Sequence, residues 1–456
     1  MSLTLDRNIL SLTVGRAYQL TVSPAQAVAW SSSNPRVRVT PIGRVIATED
    51  YLRPDGQAVI TATSLDGSES ASCAVTIVDW PANRFELEHI DTLTDRFMSV
   101  APDGTQYAVN LRAYESADEW ASETQLPDAP EAFTKPQLLF TSRGVFGVAS
   151  VGSIYRSTDG LASWTKSFDG ALAPLFHGFA AVERPDGAVV VFSGEYDVDP
   201  DARHRLIRGV ITSAGETWSV AKEWFSRNEY TADPDNSPSA SHIHVAQVDP
   251  YTGHVWIGTG DHDHESFILT SDDYGETLRV IGTGGQKWRT LAFWFTEKYI
   301  YWNMDSGQPQ SVWRLARSNL AAQSPETDLS EKVVDLLQAS HWFTALGVDT
   351  VGREVVYMGV AAEGQLRDWR PRIFMFRERE DETVDTQEVL TVLSQDPETY
   401  LGFAQLEPRY CVGDVLYARA RQLAVSGVRR YRLARVPDAL TVFVPPGAFV
   451  GPGAFV

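Results

Sequence analysis

The chain is poor in cysteine, in positive charge and in long apolar runs, and each shortage removes a class of function. Its 456 residues include two cysteines, Cys73 and Cys411, so there is neither a disulfide framework nor the paired spacing of a structural zinc site. Both read as small buried apolar residues. Lys and Arg number 39 against 59 Asp and Glu, a formal charge of -20, and no basic run relieves it. A phosphate-binding face needs a basic surplus, so no nucleic-acid partner and no anionic membrane surface are expected. No apolar stretch is long enough to span a bilayer, and "MSLTLDRNILSLTVGRAYQL" lacks the basic start, continuous apolar core and small-residue cleavage site of a signal peptide. No membrane insertion and no signal peptide are therefore expected. A P-loop, a dinucleotide fingerprint and a Ser-His-Asp motif are also missing, which leaves no organic cofactor to expect.

What is present is strand. Residues 1–80 alternate apolar and polar in short runs such as "AYQLTV", "RVRVTP", "QAVITATS" and "ASCAVTIV", separated by Pro, Asn-Pro and Asp-Gly turns. Such a pattern makes a small antiparallel sandwich. The segment with W-S-S-S-N-P, a following G-x-V and a late A-x-I-T-A-T-S resembles the bacterial Ig-like family called Big2. The resemblance implies that Trp30 packs between sheets and that Asn34-Pro35 and Asp66-Gly67 are turns, with no catalytic role.

After the breaker "VDWPANRF" a second region, residues 81–440, repeats one format of strand, turn and apolar strand. Five copies, from "FHGFAAVERPDGAVVVFSGE" to "TYLGFAQLEPRYCVGDVLYARA", start roughly 45 to 65 residues apart, and "RFMSVAPDGTQYAVN" and "PQLLFTSRGVFGVAS" fit less cleanly. A period of roughly 40 to 50 residues holding four strands marks propeller blades. The expected fold is all-β, an N-terminal Ig-like sandwich plus a six- or seven-bladed β-propeller, with "FELEHIDTL" closing the ring against C-terminal strands. The acidic insert "AYESADEWASETQLPDAPEAF" reads as a surface loop. Residues 441–456 form an apolar tail, "TVFVPPGAFVGPGAFV", whose near-duplicate ends point to a groove or partner.

Two turns share a spacing. "SIYRSTDGLASWT" carries Ser157, Asp159 and Trp164; "FILTSDDYGETLRV" carries Ser271, Asp273 and Gly275. Both resemble the Asp-box, or BNR repeat, of sialidase-like propellers, departing from it with Leu161 in place of glycine and Leu278 in place of tryptophan. The resemblance implies structural units on the outer hairpins of blades. A third copy, "VITSAGETWS", keeps Gly215, Thr217 and Trp218 but has Ser213 where aspartate belongs.

Chemistry gathers in "SHIHVAQVDPYTGHVWIGTGDHDHES", which holds five of the nine histidines. His242 and His244, two apart on a strand, point to one side, with Ile243 and Val245 on the other. The returning strand brings Asp261, Asp263 and Glu265 back beside them. His242, His244 and Asp261 are candidate ligands for a divalent metal, imidazole favouring zinc, manganese or nickel. A calcium loop fits less well, because Ser266 and a strand follow Glu265 in place of the glycine turn that an EF-hand loop requires. The simplest reading is a hydrogen-bonded polar rim. The order "HIH", "GTGD", "SDDYGETL", "QKWRT", "YIYWNMD" is similar to a run in bacterial sialidase-like propellers, which implies that His242, His244, Asp261, Arg289 and Asp305 meet at a channel mouth. Arg289, Asp263 and Glu265 are then the candidate substrate-binding groups, and His242, His244, Asp261 and Asp305 the candidate catalytic ones.

Sialidase activity is not expected, because the F/Y-R-I-P motif of that family is missing and no spacing singles out Arg314, Arg372 or Tyr410. The two module resemblances imply a structural or adhesion protein of a phage particle, in a tail, fibre or decoration, localised to the virion. Its partners would be other virion proteins, further copies of itself and a cell-surface glycan. The alternative is a polysaccharide hydrolase or lyase; a hydrolase needs two carboxyls about 5 to 9.5 Å apart.

Overall fold

The computed structural model describes residues 2–435 apart from 14–16, 25, 35–36, 42, 48–55, 79–84, 94–97, 102, 104, 110–112, 118–122, 132, 134–137, 150, 236–237, 241, 307–309, 337–340, 349–353, 361–371, 380, 392–402, 407–414 and 422–426. The expectations for Pro35, Tyr410, Cys411 and the tail 441–456 fall outside these residues. The chain divides into two units: Met1–Glu88 with Thr350–Arg353 and Leu433–Val456, and His89–Asp349 with Glu354–Arg432.

In the first unit the short alternating runs form two larger sheets and a two-stranded one, Thr4–Leu5 with Val22–Ser23. One larger sheet orders Ile9–Thr13, Ser70–Val78, Gly56–Ser64 and Val28–Ser32; the other orders Ala17–Gln19, Arg44–Ala47 and Val37–Val39. Ile9–Thr13 runs parallel to Ser70–Val78, while the other pairs in the two sheets are antiparallel. The inward residues Leu20, Val37, Val45, Ile60, Cys73 and Val75 are buried in one core, and Trp30 packs against it half-buried. Gly43 (φ +85°) has no alternative there: a Cβ would lie 2.5 Å from the Trp30 ring. The Asp66-Gly67 turn closes by Gly67 N–H to Ser64 O at 2.8 Å, Gly67 taking φ +73°.

The second unit is a β-propeller. Among the described residues seven four-stranded antiparallel sheets follow one another along the chain. Blade 1 begins at Met98–Val100, blade 2 at Leu139–Thr141, blade 3 at Pro174–Glu183, blade 4 at His242–Val248, blade 5 at Phe293–Phe295, blade 6 at His341–Val348 and blade 7 at Phe403–Leu406. The seven strand-turn-strand repeats read from the sequence are the first two strands of these seven blades. Ring closure follows expectation: Phe85–Leu93 is the outermost strand of blade 7, beside Gly427–Arg435, so the blade joins strands from both ends of the propeller region. The first strands of blades 3 and 4 touch in parallel at His177 and Val245.

Apolar side chains from neighbouring blades form the cores. Between blades 3 and 4 lie Phe192, Leu206, Trp224, Ile243, Ile257 and Leu269; between blades 4 and 5 lie Val245, Trp256, Ile268, Trp288, Phe293 and Trp302. Arginines of third strands tie blades 2, 3 and 5 to the blades that follow them: Arg156 to Glu216, Arg208 to Tyr274 O and Glu276, and Arg314 to Glu382 O. That is the place of Arg314, at a blade junction.

One expectation fails here. The insert 113–133 is not a plain surface loop: Ala113–Ser116 and Thr124–Leu126 are the outer strands of blade 1. Ala129 and Phe133 are buried, with Phe133 edge-on to Trp164 at 5.1 Å. Among its described acids Glu123 and Asp128 are exposed, beside these apolar anchors.

The two similar turns share one hydrogen-bond pattern between third and fourth strands. Ser157 Oγ donates to Asp159 at 2.8 Å and accepts from Leu161 N–H at 3.0 Å; Ser271 Oγ does the same with Asp273 and Gly275 N–H, both at 2.7 Å. Asp159 accepts the backbone N–H and hydroxyl of Ser163, Asp273 those of Thr277. The Ser163 hydroxyl and amide, with Ser157, hold the Asp159 carboxyl down to about 2. Leu161 takes φ +69° where Gly275 takes +82°, so a glycine conformation is imposed on a leucine whose side chain is buried. Trp164 packs in the core between blades 1 and 2.

Candidate functional site

The site is built at one end of the propeller, where the first strand of a blade begins and its second strand ends. Blade 4 supplies His242 and His244 from the start of its first strand, and Asp261 just after its second strand, Val255–Gly260. Blade 5 supplies Arg289 before its first strand and Asp305 after its second, Tyr299–Asn303. Blade 3 adds Tyr196 and Asp197 after Val189–Glu195, and His204 at the start of its third strand.

Simple alternation does not place the histidines. His242 pairs with Gly260, Ile243 with Thr259 and Val245 with Gly258, so His244 is the extra residue of a β-bulge. The bulge sends Ile243 into the core towards blade 3 and Val245 into the core towards blade 5, whereas alternation would keep them on one side. The two rings converge all the same, with His242 Nε2 and His244 Nε2 2.9 Å apart. Gly260 makes room for this: a Cβ there would lie 2.3 Å from His244 Cε1.

Asp261 completes the group. Its Oδ1 lies 3.2 Å from His242 Nε2, 3.4 Å from His244 Nε2 and 2.9 Å from Arg289 Nη2. The same Arg289 nitrogen reaches Asp305 Oδ2 at 3.0 Å, and Asp305 N–H donates to Arg289 O at 2.8 Å. Arg289 thus joins one carboxylate from each of two blades. His242 Nδ1 faces the carbonyl oxygen of Asp197 at 3.0 Å, and Tyr196 lies over the His242 ring with centroids 4.2 Å apart. His244 Nδ1 makes no hydrogen bond among the described residues and stands 3.9 Å from Asp305 Oδ2.

Burial sets the electrostatics. His242 and His244 are each 2% exposed, while Asp261 and Arg289 keep 31% and 22% of their side chains in contact with solvent, so the group opens on their side. Burial opposes the charge on Asp261, yet the contacts with His242 and His244 hold its carboxyl far below the usual carboxylate range. Burial pushes the His244 imidazole down, the Asp261 contact opposing it. His204, fully buried, is held down to about 4 by burial and by the neighbouring His242.

Glu265 is elsewhere than the sequence reading put it. Its side chain is fully buried and meets no outside molecule: Oε2 accepts the backbone N–H groups of Asp261 at 3.1 Å and His262 at 2.9 Å, and Arg227 faces it from Nε at 3.2 Å and Nη2 at 3.4 Å. It braces the short 3₁₀ turn Asp263–Glu265 that presents Asp261. Asp263 is exposed and accepts Gln286 Nε2 at 2.9 Å; the same Nε2 donates to Asp261 O at 3.0 Å. His264 is half-buried, stacked on Tyr230 at 3.9 Å, and His262 is exposed beside it. His254 lies at the far turn of the hairpin, where Asp249 is buried against Arg317 and away from the site.

Arg227, Tyr230, Tyr196, Asp197, His204 and Gln286 were not anticipated. Arg227 and Tyr230 ride on the helix Arg227–Ala232, whose capping box joins Ser226 and Glu229. The S-x-x-E in "SRNEYTA" is a readable signal for that helix start. Asp197 acts through its carbonyl and Tyr196 through its position, for which residue type gives no cue.

No family model and no curated protein matches the chain. Solved structures to which it is similar include YCF48 from Cyanidioschyzon merolae (12% identity, 76% of this chain and 98% of that one, TM-score 0.40). A second is YCF48 bound to D1 peptide (12%, 83% and 90%, 0.34), and a third the C-terminal WD40 domain of Sif2 (9%, 77% and 99%, 0.40).

Proposed function

We propose that the chain is a glycan-binding structural protein of a phage particle, and that the sugar is received where blades 4 and 5 meet. The observation that supports this most is the pairing of Asp261 and Arg289 on a partly exposed rim, with the buried Asp305 holding Arg289 from behind. Carboxylates and a guanidinium fixed in this way offer strong charge-assisted hydrogen bonds to hydroxyls. Gln286 and Asp263 extend the polar edge, and the stacked Tyr230 and His264 rings add a flat face for a sugar ring. The particle reading draws on the likeness of the N-terminal sandwich to Big2 domains and of the 157–164 and 271–277 turns to Asp-boxes. In that setting the partners are other virion proteins and copies of the chain.

The hydrolase alternative is less well served. A glycosidase needs a protonated carboxyl beside a charged one, and Asp261, held charged, fills only the second role.

The test is a glycan array probed with the full chain, followed by titration calorimetry on any hit. Arg289→Ala and Asp305→Asn should each weaken binding at least tenfold while the thermal unfolding profile stays cooperative. An array without hits, or hits indifferent to both substitutions, sinks the reading.

A further inference from the structure

The three donors at the centre of the site are arranged for a cation. His242 Nδ1 faces a carbonyl oxygen, which can only accept, so Nδ1 carries the proton and a neutral His242 presents a bare lone pair at Nε2. That lone pair points at His244 Nε2 and at an oxygen of Asp261, which is also an acceptor. A single proton on His244 Nε2 can serve one of these contacts but not all three. If His244 is instead protonated at Nδ1, two lone pairs face each other at 2.9 Å. With both histidines neutral, lone pairs therefore face one another at the middle of the group, the arrangement a cation would fill.

The spacing suits a metal. The three donor separations are 2.9, 3.2 and 3.4 Å. Around a tetrahedral zinc with bonds of about 2.0 to 2.1 Å, adjacent donors stand about 3.3 Å apart. The surroundings fit as well. The Asp197 carbonyl fixes the His242 tautomer with Nε2 directed inward, the outer-shell contact that ligating histidines ordinarily make. Arg289 bonds Asp261 Oδ1 from outside the triangle and is itself balanced by Asp305. We propose that His242, His244 and Asp261 bind one zinc-class divalent cation, leaving a coordination position open on the solvent side for a ligand oxygen.

This deepens the glycan-binding reading by naming what a sugar hydroxyl or carboxylate would meet, but its test needs no sugar. The full chain is stripped with a chelator, dialysed and titrated with Co²⁺ at neutral pH. The proposal expects one equivalent bound with the visible bands of tetrahedral cobalt, displaced by one equivalent of Zn²⁺. His244→Ala and the isosteric Asp261→Asn should each weaken binding at least tenfold, while His254→Ala, at the far turn, changes nothing. Circular dichroism confirms that each variant is folded, and Asp261→Asn decides if His244→Ala is not. Absence of a stoichiometric cobalt spectrum, or equal affinity in folded Asp261→Asn, overturns it. Glycan binding by stripped protein would leave the sugar reading standing while the cobalt result judges the metal alone.

Discussion

Glu265 is the side chain on which the position of Asp261 depends, and removing it should be costly. The carboxylate is fully buried and accepts two backbone N–H groups and the Arg227 guanidinium. Deleting one member of a buried ion pair costs about 3 to 5 kcal/mol. Arg227 keeps about a third of its side chain in water, so solvent takes over part of its charge and the lower end applies, about 3 kcal/mol for Glu265→Ala. That is roughly two decades in the folding equilibrium, since about 1.4 kcal/mol is tenfold. Glu265→Gln keeps the volume, and its amide oxygen can still accept both backbone N–H groups. Only the Arg227 contact is lost, so about 1 to 2 kcal/mol is expected. Urea unfolding followed by tryptophan fluorescence measures both. In the folded Ala variant the 261–265 turn loses its brace, so any ligand that uses Asp261 should bind more weakly. A loss below about 1 kcal/mol for Ala, or a larger loss for Gln than for Ala, refutes the account of what holds this turn.

Gln247→Leu should destabilise by about 1 to 3 kcal/mol in the same assay, because the amide donates to Phe293 O at 2.9 Å and accepts Phe293 N–H at 3.2 Å, and an apolar replacement leaves both backbone groups unmet. For Glu216, burial opposes the charge but Arg156 at 2.6 Å holds the carboxyl below its usual 4.5. A carboxyl depressed on folding contributes stability above about pH 4.5 and loses it as pH falls through the folded value. Stability curves of wild type and Glu216→Gln should therefore be separated at pH 7 and draw together below pH 4.5; a gap that is constant with pH contradicts the pairing.

The propeller was legible because its repeating unit is local. Each blade's first two strands form one hairpin with an apolar second strand, and that pattern recurs often enough to be seen through poor copies such as "RFMSVAPDGTQYAVN". The blade count was harder to read, since the closing blade takes its fourth strand, Phe85–Leu93, from the other end of the chain. The insert 113–133 misled because acidic residues mask short outer strands anchored by a single aromatic, Phe133. Of the site, the residue types were visible and the roles were not. Asp261 and Glu265 read alike as nearby carboxylates, yet one faces solvent and the other is sealed behind Arg227. No local pattern separates them, because the difference comes from a helix some thirty residues upstream, Arg227–Ala232.

The bulge at His244 explains why the site belongs to a junction of blades. A side chain leaving the start of an inner strand can lean towards either neighbouring blade, and regular alternation would commit His242 and His244 to the same one. With the extra residue, His242 meets Tyr196 and Asp197 of blade 3, while His244 lies towards Asp305 of blade 5, and their Nε2 atoms still meet. The donor triangle is made within blade 4, but its orientation depends on the blades on either side, through Asp197 of blade 3 and Arg289 of blade 5. Donors 2.9 to 3.4 Å apart tolerate little change, so those blades must be held firmly. Blade 3 is tied to blade 4 by Arg208, which bonds Tyr274 O and Glu276 in the outer turn, and by the parallel contact of His177 with Val245. Blade 4 is tied to blade 5 by the Gln247 amide and by Asp249 with Arg317. None of these clamps touches the donors. Loosening one should cost ligand affinity as well as stability, which separates a site made by blade packing from one made by the His-x-His strand alone.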